Sequence, residues 1–143
     1  MIDAAVGSAR AALGLAVSEP ATAWPVADMR PNTSDYVLVV FGLPGAATAI
    51  AAVDPVTREV LESARMPGRA PHALITNDEA VAHAGIGTDA RARLVWQPSA
   101  ASRSRFYPLW EVRAGERAVW VDGVRGVVWK TLDAGRGGGS AGS

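Results

Sequence analysis

An ordered recurrence constrains this chain more than any other feature. Trp24 stands 21 residues after Asp3, and Trp96 stands 20 after Thr76; Tyr36 then follows Trp24 by 12, and Tyr107 follows Trp96 by 11. Further on, Ala51-Ala52-Val53-Asp54 matches Val119-Trp120-Val121-Asp122. Each is followed by a turn and another apolar stretch, Glu59 to Ala64 in one case and Val127 to Leu132 in the other. The offset between the copies drifts from 73 residues at the helix starts to 68 at the aspartates. Spacing of this kind is the signature of one supersecondary unit used twice.

Each copy is expected to open with a short helix. Asp3 can cap the first, with Val6, Ala9 and Leu13 on its apolar face and Gly14 as its stop. Thr76-Asn77-Asp78-Glu79 is a capping box for the second, which ends at Gly85. Helices this short do not persist in water alone, so each needs a sheet to cover. The stretch Tyr36 to Val53 holds 18 residues without a charge, just touching membrane-spanning length. Gly42, Pro44 and Gly45 interrupt it, and Leu43-Pro44-Gly45-Ala46 suits a type II turn, so it reads as a hairpin.

Alternation in the second copy places Phe106, Pro108, Trp110 and Val112 on one face of a strand, and Tyr107, Leu109, Glu111 and Arg113 on the other. Pro108 argues for an edge strand, or for a ladder that starts only after it. Loops as short as Arg113-Ala114-Gly115-Glu116 exclude parallel crossovers. The expected fold is therefore α+β: two repeated units, each a short helix packed on a small antiparallel sheet. Residues 1–70 form the first unit, 71–132 the second, and 133–143 a flexible Gly/Ser-rich tail.

A length of 143 residues, 49% of them hydrophobic, leaves room for two such units sharing a core. Lys+Arg and Asp+Glu balance at 14 each, so a dedicated nucleic-acid binder is not expected. The balance hides an asymmetry: residues 1–88 carry five Arg against nine acids, and 89–143 carry eight Arg and one Lys against five acids. Zero cysteine excludes disulfides, thiolate metal ligation and a cysteine nucleophile. Asp3 and Arg10 do not fit a secretory signal, so a cytoplasmic protein without a membrane segment is expected.

The strand and turn motifs resemble the PepSY family. Ala51-Ala52-Val53-Asp54-Pro55-Val56-Thr57-Arg58-Glu59-Val60-Leu61 looks like that family's valine-aspartate hairpin and following strand, with Arg58 where such hairpins often carry glycine. Tyr107-Pro108-Leu109-Trp110-Glu111-Val112 leads in the same way to Trp120-Val121-Asp122-Gly123, and Asn77-Asp78-Glu79-Ala80 looks like the family's acidic-alanine helix. The likeness spans residues 3–132 as two tandem degenerate units. It implies a small α+β unit of the kind found in protease propeptides and in sensory or cell-envelope proteins, where it binds or restrains a partner. No catalytic residue carries over. Asp54 and Asp122 match the hairpin aspartate, whose side chain accepts backbone hydrogens in the turn.

Chemistry-bearing residues are few. His83 lies four residues after Glu79 on the second helix, so the two share a face and form the alternative acid–base pair. Neither this pair nor His72 belongs to a set of three or four ligands with metal spacing, and no metal is expected. Ser99, Ser102 and Ser104 lie outside any nucleophile elbow, and glycine-rich phosphate loops are absent, so no cofactor is expected. The segment Arg91 to Arg105 carries Arg91, Arg93, Arg103 and Arg105 without an acid, adjoined by Trp96, Phe106 and Tyr107. Arginine forks beside aromatic platforms can hold an anionic peptide or a nucleic acid, and zero net charge with no nucleic-acid fold motif favours a protein. Four of the five tryptophans, Trp96, Trp110, Trp120 and Trp129, fall in the second copy.

These readings lead to a non-enzymatic protein-binding or regulatory module. Trp96, Arg103, Arg105 and Tyr107 are its candidate partner-binding residues, and self-association stays open. The alternative is a small-molecule-binding α+β protein, with Glu79 and His83 as the working pair of an enzyme.

Overall fold

A computed structural model describes residues 2–132. The fold is mixed α+β, and the described residues form two helices and eight strands. They divide into two compact units, one holding the chain up to Asp28 with Asn32–Ala73, the other holding Met29–Pro31 with the chain from Leu74. The Gly/Ser-rich tail expected at 133–143 lies outside the described residues.

In the first unit, α1 (Ile2–Leu13) precedes β1 (Ala21–Asp28), β2 (Tyr36–Leu43), β3 (Ala46–Val53) and β4 (Val60–Ala70). The strands pair antiparallel in the order β4-β3-β2-β1. Ala5, Ala9 and Leu13, four residues apart along α1, pack on Val37, Val39, Phe41, Ala49, Ala51 and Val53, the alternate residues of β2 and β3. Alanine on the helix lets it approach the sheet closely. The helix begins at Ile2, so Asp3 sits in the first turn, where a carboxylate complements the helix dipole, and does not precede the helix as a cap. Its end is as read: Gly14 takes φ 66°, and the Leu13 carbonyl, left without a partner inside the helix, accepts from the Arg65 guanidinium. The Pro44–Gly45 hairpin joins β2 to β3, with Gly45 at φ 77°. Gly42 marks a bulge where a Cβ would lie 2.6 Å from the Ala46 carbonyl oxygen, so only glycine fits.

The second unit contains α2 (Asn77–Ala84), β5 (Arg91–Trp96), β6 (Leu109–Ala114), β7 (Arg117–Asp122) and β8 (Val128–Trp129). These strands are antiparallel in the order β5-β6-β7-β8. The capping box forms as read: the Thr76 hydroxyl accepts from Glu79 N at 3.1 Å, and Glu79 Oε1 accepts from Thr76 N at 2.8 Å. Gly85 ends the helix at φ 64°. The helix lies against β5, β6 and β7.

Of the two readings of Pro108, the later start holds: the ladder of β6 begins at Leu109, directly after the proline, and β6 runs between β5 and β7 and is not an edge. Tyr107 accordingly sits in a turn, its amide donating to Ser104 O at 3.0 Å. The last strand, expected to reach Leu132, pairs only at Val128 and Trp129.

Both aspartate turns are built on side-chain acceptance. Asp54 Oδ1 accepts from Val56 N at 2.8 Å and Thr57 N at 3.0 Å, while Arg58 N donates to Asp54 O and Asp54 N to Glu59 O, each at 2.8 Å. Asp122 Oδ1 accepts from Val124 N at 2.9 Å and Arg125 N at 2.8 Å, while Gly126 N donates to Asp122 O and Asp122 N to Val127 O, each at 2.8 Å.

Candidate functional site

The connection from β5 to β6 is organised by buried polar groups. Trp96 ends β5 and is only 4% exposed. Its indole Nε1 donates to Ser102 Oγ at 3.2 Å, and that hydroxyl donates in turn to Tyr107 O at 2.6 Å. Ser99 and Ser102 exchange backbone bonds, Ser99 N to Ser102 O at 2.9 Å and Ser102 N to Ser99 O at 3.2 Å, closing a tight buried loop. A buried hydroxyl with partners on both sides holds its neighbours in one arrangement.

Two guanidinium groups lie over the Trp96 ring, Arg105 at 5.4 Å and Arg30 at 4.9 Å from its centre. Met29 N donates to Trp96 O at 2.8 Å, which ties the Met29–Pro31 segment to β5. The four residues singled out by sequence thus take different places. Trp96 and Arg105 are brought together as a stack, with Trp96 as the inner platform. Arg103 is exposed in the same loop, and Tyr107 is 40% exposed at its end. Arg30 escaped the sequence reading, because it comes from the β1–β2 connection and nothing local signals that it returns to Trp96.

A second polar cluster sits on the sheet. Glu111 of β6 is buried, yet its Oε1 accepts from Arg93 Nε at 3.0 Å and Arg113 Nε at 3.2 Å, and Oε2 accepts from Arg113 Nη2 at 3.4 Å. Burial alone pushes this carboxyl up; hydrogen bonds from Arg113 and Arg93, with their positive charges, outweigh that and hold it below the usual glutamate value. The stability it contributes is therefore present above the ordinary glutamate pKa and is lost as pH falls through the lowered one. Both arginines are more than half exposed, so solvent screens the pair and the contribution is small.

The alternative acid–base pair is differently engaged. Glu79 spends Oε1 on the cap of α2, and the His83 ring lies where a Cβ on Gly126 would meet its Nε2 at 3.2 Å. His72 is buried in the first unit. Two grooves of the second unit, about 420 and 430 Å³, are lined by neither histidine. Among the described residues, no group of three His, Asp or Glu side chains could hold a metal ion, and no helix is long and apolar enough to cross a membrane. No protein-family model, curated protein or solved structure matches this chain.

Proposed function

We propose that this chain is a non-catalytic protein-binding or regulatory module, a tandem of two degenerate helix-plus-sheet units resembling the PepSY family. The tandem reading is supported by the element order, a helix followed by four antiparallel strands in each unit, and by the two aspartate turns with the same bonds. The binding reading is carried by one observation: the β5–β6 loop is internally hydrogen-bonded around Trp96 and presents Arg103 and Tyr107 to solvent. A loop already fixed before binding loses little conformational entropy when a partner arrives. Tyrosine and arginine are the residue types that anchor protein interfaces.

Trp96 acts here as the support that aims Arg105 and not as a contact. The commitment of the Glu79 carboxylate to the helix cap favours this reading over an acid–base enzyme. A cytoplasmic setting belongs to the proposal, and fractionation of the source cell tests it. The function is tested by crosslinking in the source cell with wild type and with an Arg103→Ala/Tyr107→Ala variant. A crosslinked protein that is lost in the variant, with the thermal melt unchanged, is the expected result. Identical crosslinking by both forms overturns the assignment of this surface.

A further inference from the structure

Cross-strand register places two like charges face to face in the second unit. Arg91 of β5 stands opposite Arg113 of β6, and Arg93 stands opposite Glu111. Strand alternation puts all four on one face, three guanidinium groups beside a single buried carboxylate. Glu111 is already saturated by Arg93 and Arg113, and the exposed Arg91 has no carboxylate partner among the described residues. Directly opposed like charges destabilise an antiparallel pair, and an anion between them removes that cost. The face is concave there: Asp89, Arg91, Arg93, Glu111 and Arg113 line a groove of about 420 Å³.

We propose that this groove docks an extended acidic segment of a partner protein, with Arg91, Arg93 and Arg113 as the carboxylate-binding residues. Guanidinium forks match carboxylate geometry, and Nε engagement of Arg93 and Arg113 with Glu111 fixes their planes before a ligand arrives. Arg91 and Arg93 lie two residues apart on one strand, so their side chains are spaced about 7 Å along it. An extended peptide with acids at alternate positions repeats at that same spacing. A nucleic acid fits less well, because Glu111 and Asp89 place carboxylates in the groove and the chain as a whole carries no net charge. This site is separate from the Arg103–Tyr107 surface, so either proposal can fail alone.

The test is titration of the full chain with an acetylated, amidated hexapeptide of alternating glutamate and serine, against its glutamine counterpart and against inorganic phosphate. The expected result is binding of the acidic peptide alone, stronger at low salt and weakened about tenfold by Arg91→Gln. Without ligand, Arg91→Gln should melt at or slightly above the wild-type temperature, because it relieves the opposed charges. Equal binding of both peptides, phosphate binding as tight as the acidic peptide, or unchanged affinity in Arg91→Gln overturns the proposal. A melt lowered by several degrees in Arg91→Gln also overturns it, since that would make Arg91 a structural residue.

Discussion

The turn that follows β3 and the turn that follows β7 share one hydrogen-bond scheme and differ in nearly every other respect. In each, an aspartate carboxylate accepts two backbone N–H groups, and the residue four positions on donates to the aspartate carbonyl. That fourth residue has a left-handed backbone in both, φ 66° at Arg58 and 74° at Gly126. Proline follows the first aspartate and glycine the second. The bonds set the turn, while its surroundings set which residues it tolerates. Pro55 needs no amide hydrogen there, whereas Gly123 N donates to Pro108 O at 3.0 Å and its carbonyl accepts from Ile75 N at 2.7 Å. Arg58 has room for a side chain at its cost in backbone strain; Gly126 faces the His83 ring.

Exchanging residues between the turns is the sharpest way to break this comparison, and Gly123→Pro should have the largest effect. It deletes the bond to Pro108 and puts a side chain where a Cβ would lie 2.7 Å from the Pro108 carbonyl oxygen. The expected loss is roughly 3–5 kcal/mol, read by denaturant unfolding followed through indole fluorescence. Asp122→Ala comes next, at about 2–3 kcal/mol, because the carboxylate is 2% exposed and two backbone donors lose their acceptor. Its ion pair with Arg125, whose side chain is largely exposed, adds little. Asp54→Ala removes the same bonds from an exposed turn where water replaces them, and should cost about 1 kcal/mol. Equal losses from the two alanine variants would show that burial does not separate the turns.

Local chemistry was legible in the chain itself. The Thr76–Glu79 box, the Pro44–Gly45 hairpin and both aspartate turns depend on residues within a few positions of one another, and all form as read. The delay of β6 past Pro108 is equally local, since an imide nitrogen has nothing to donate. What stayed hidden depends on register. The opposition of Arg91 and Arg113 follows from how two strands align across the β5–β6 connection, which no spacing along one strand encodes. The Arg30 contact with Trp96 depends on where the β1–β2 connection returns. The candidate surface was legible as composition, an acid-free arginine run beside aromatics, but the division of labour within it was not. A tryptophan reads the same in sequence whether it is a platform or a contact.

Gly126→Arg copies the first turn into the second and should cost about 1–2 kcal/mol. Part of that is the left-handed backbone at φ 74°, a conformation that side chains other than asparagine or aspartate rarely take. The rest is displacement of the His83 ring, whose Nε2 would lie 3.2 Å from the new Cβ. A Gly126→Arg/His83→Ala double variant separates the two parts. If the double variant loses as much as the sum of the singles, the ring is not what reserves this position for glycine.

The smallest effect, and the one of opposite sign, belongs to Arg58→Gly. Holding an L residue in the left-handed region costs about 1–2 kcal/mol, and Arg58 does so at φ 66° in a turn whose bonds are made by backbone, Asp54 and the Thr57 hydroxyl, none by the Arg58 side chain. Glycine removes that strain and leaves every acceptor in place. Against it stands the freer unfolded chain, which costs glycine about 0.4–1 kcal/mol. The difference favours the variant by about 0.5 kcal/mol, a rise of roughly 1–2 °C in the melting temperature. Arg58→Ala supplies the control: it removes the guanidinium but keeps the Cβ, so it should not reproduce the gain. If alanine stabilises as much as glycine, the cost at this position comes from the arginine side chain and not from the backbone. At this position the two turns would then differ in side-chain charge and not in backbone strain.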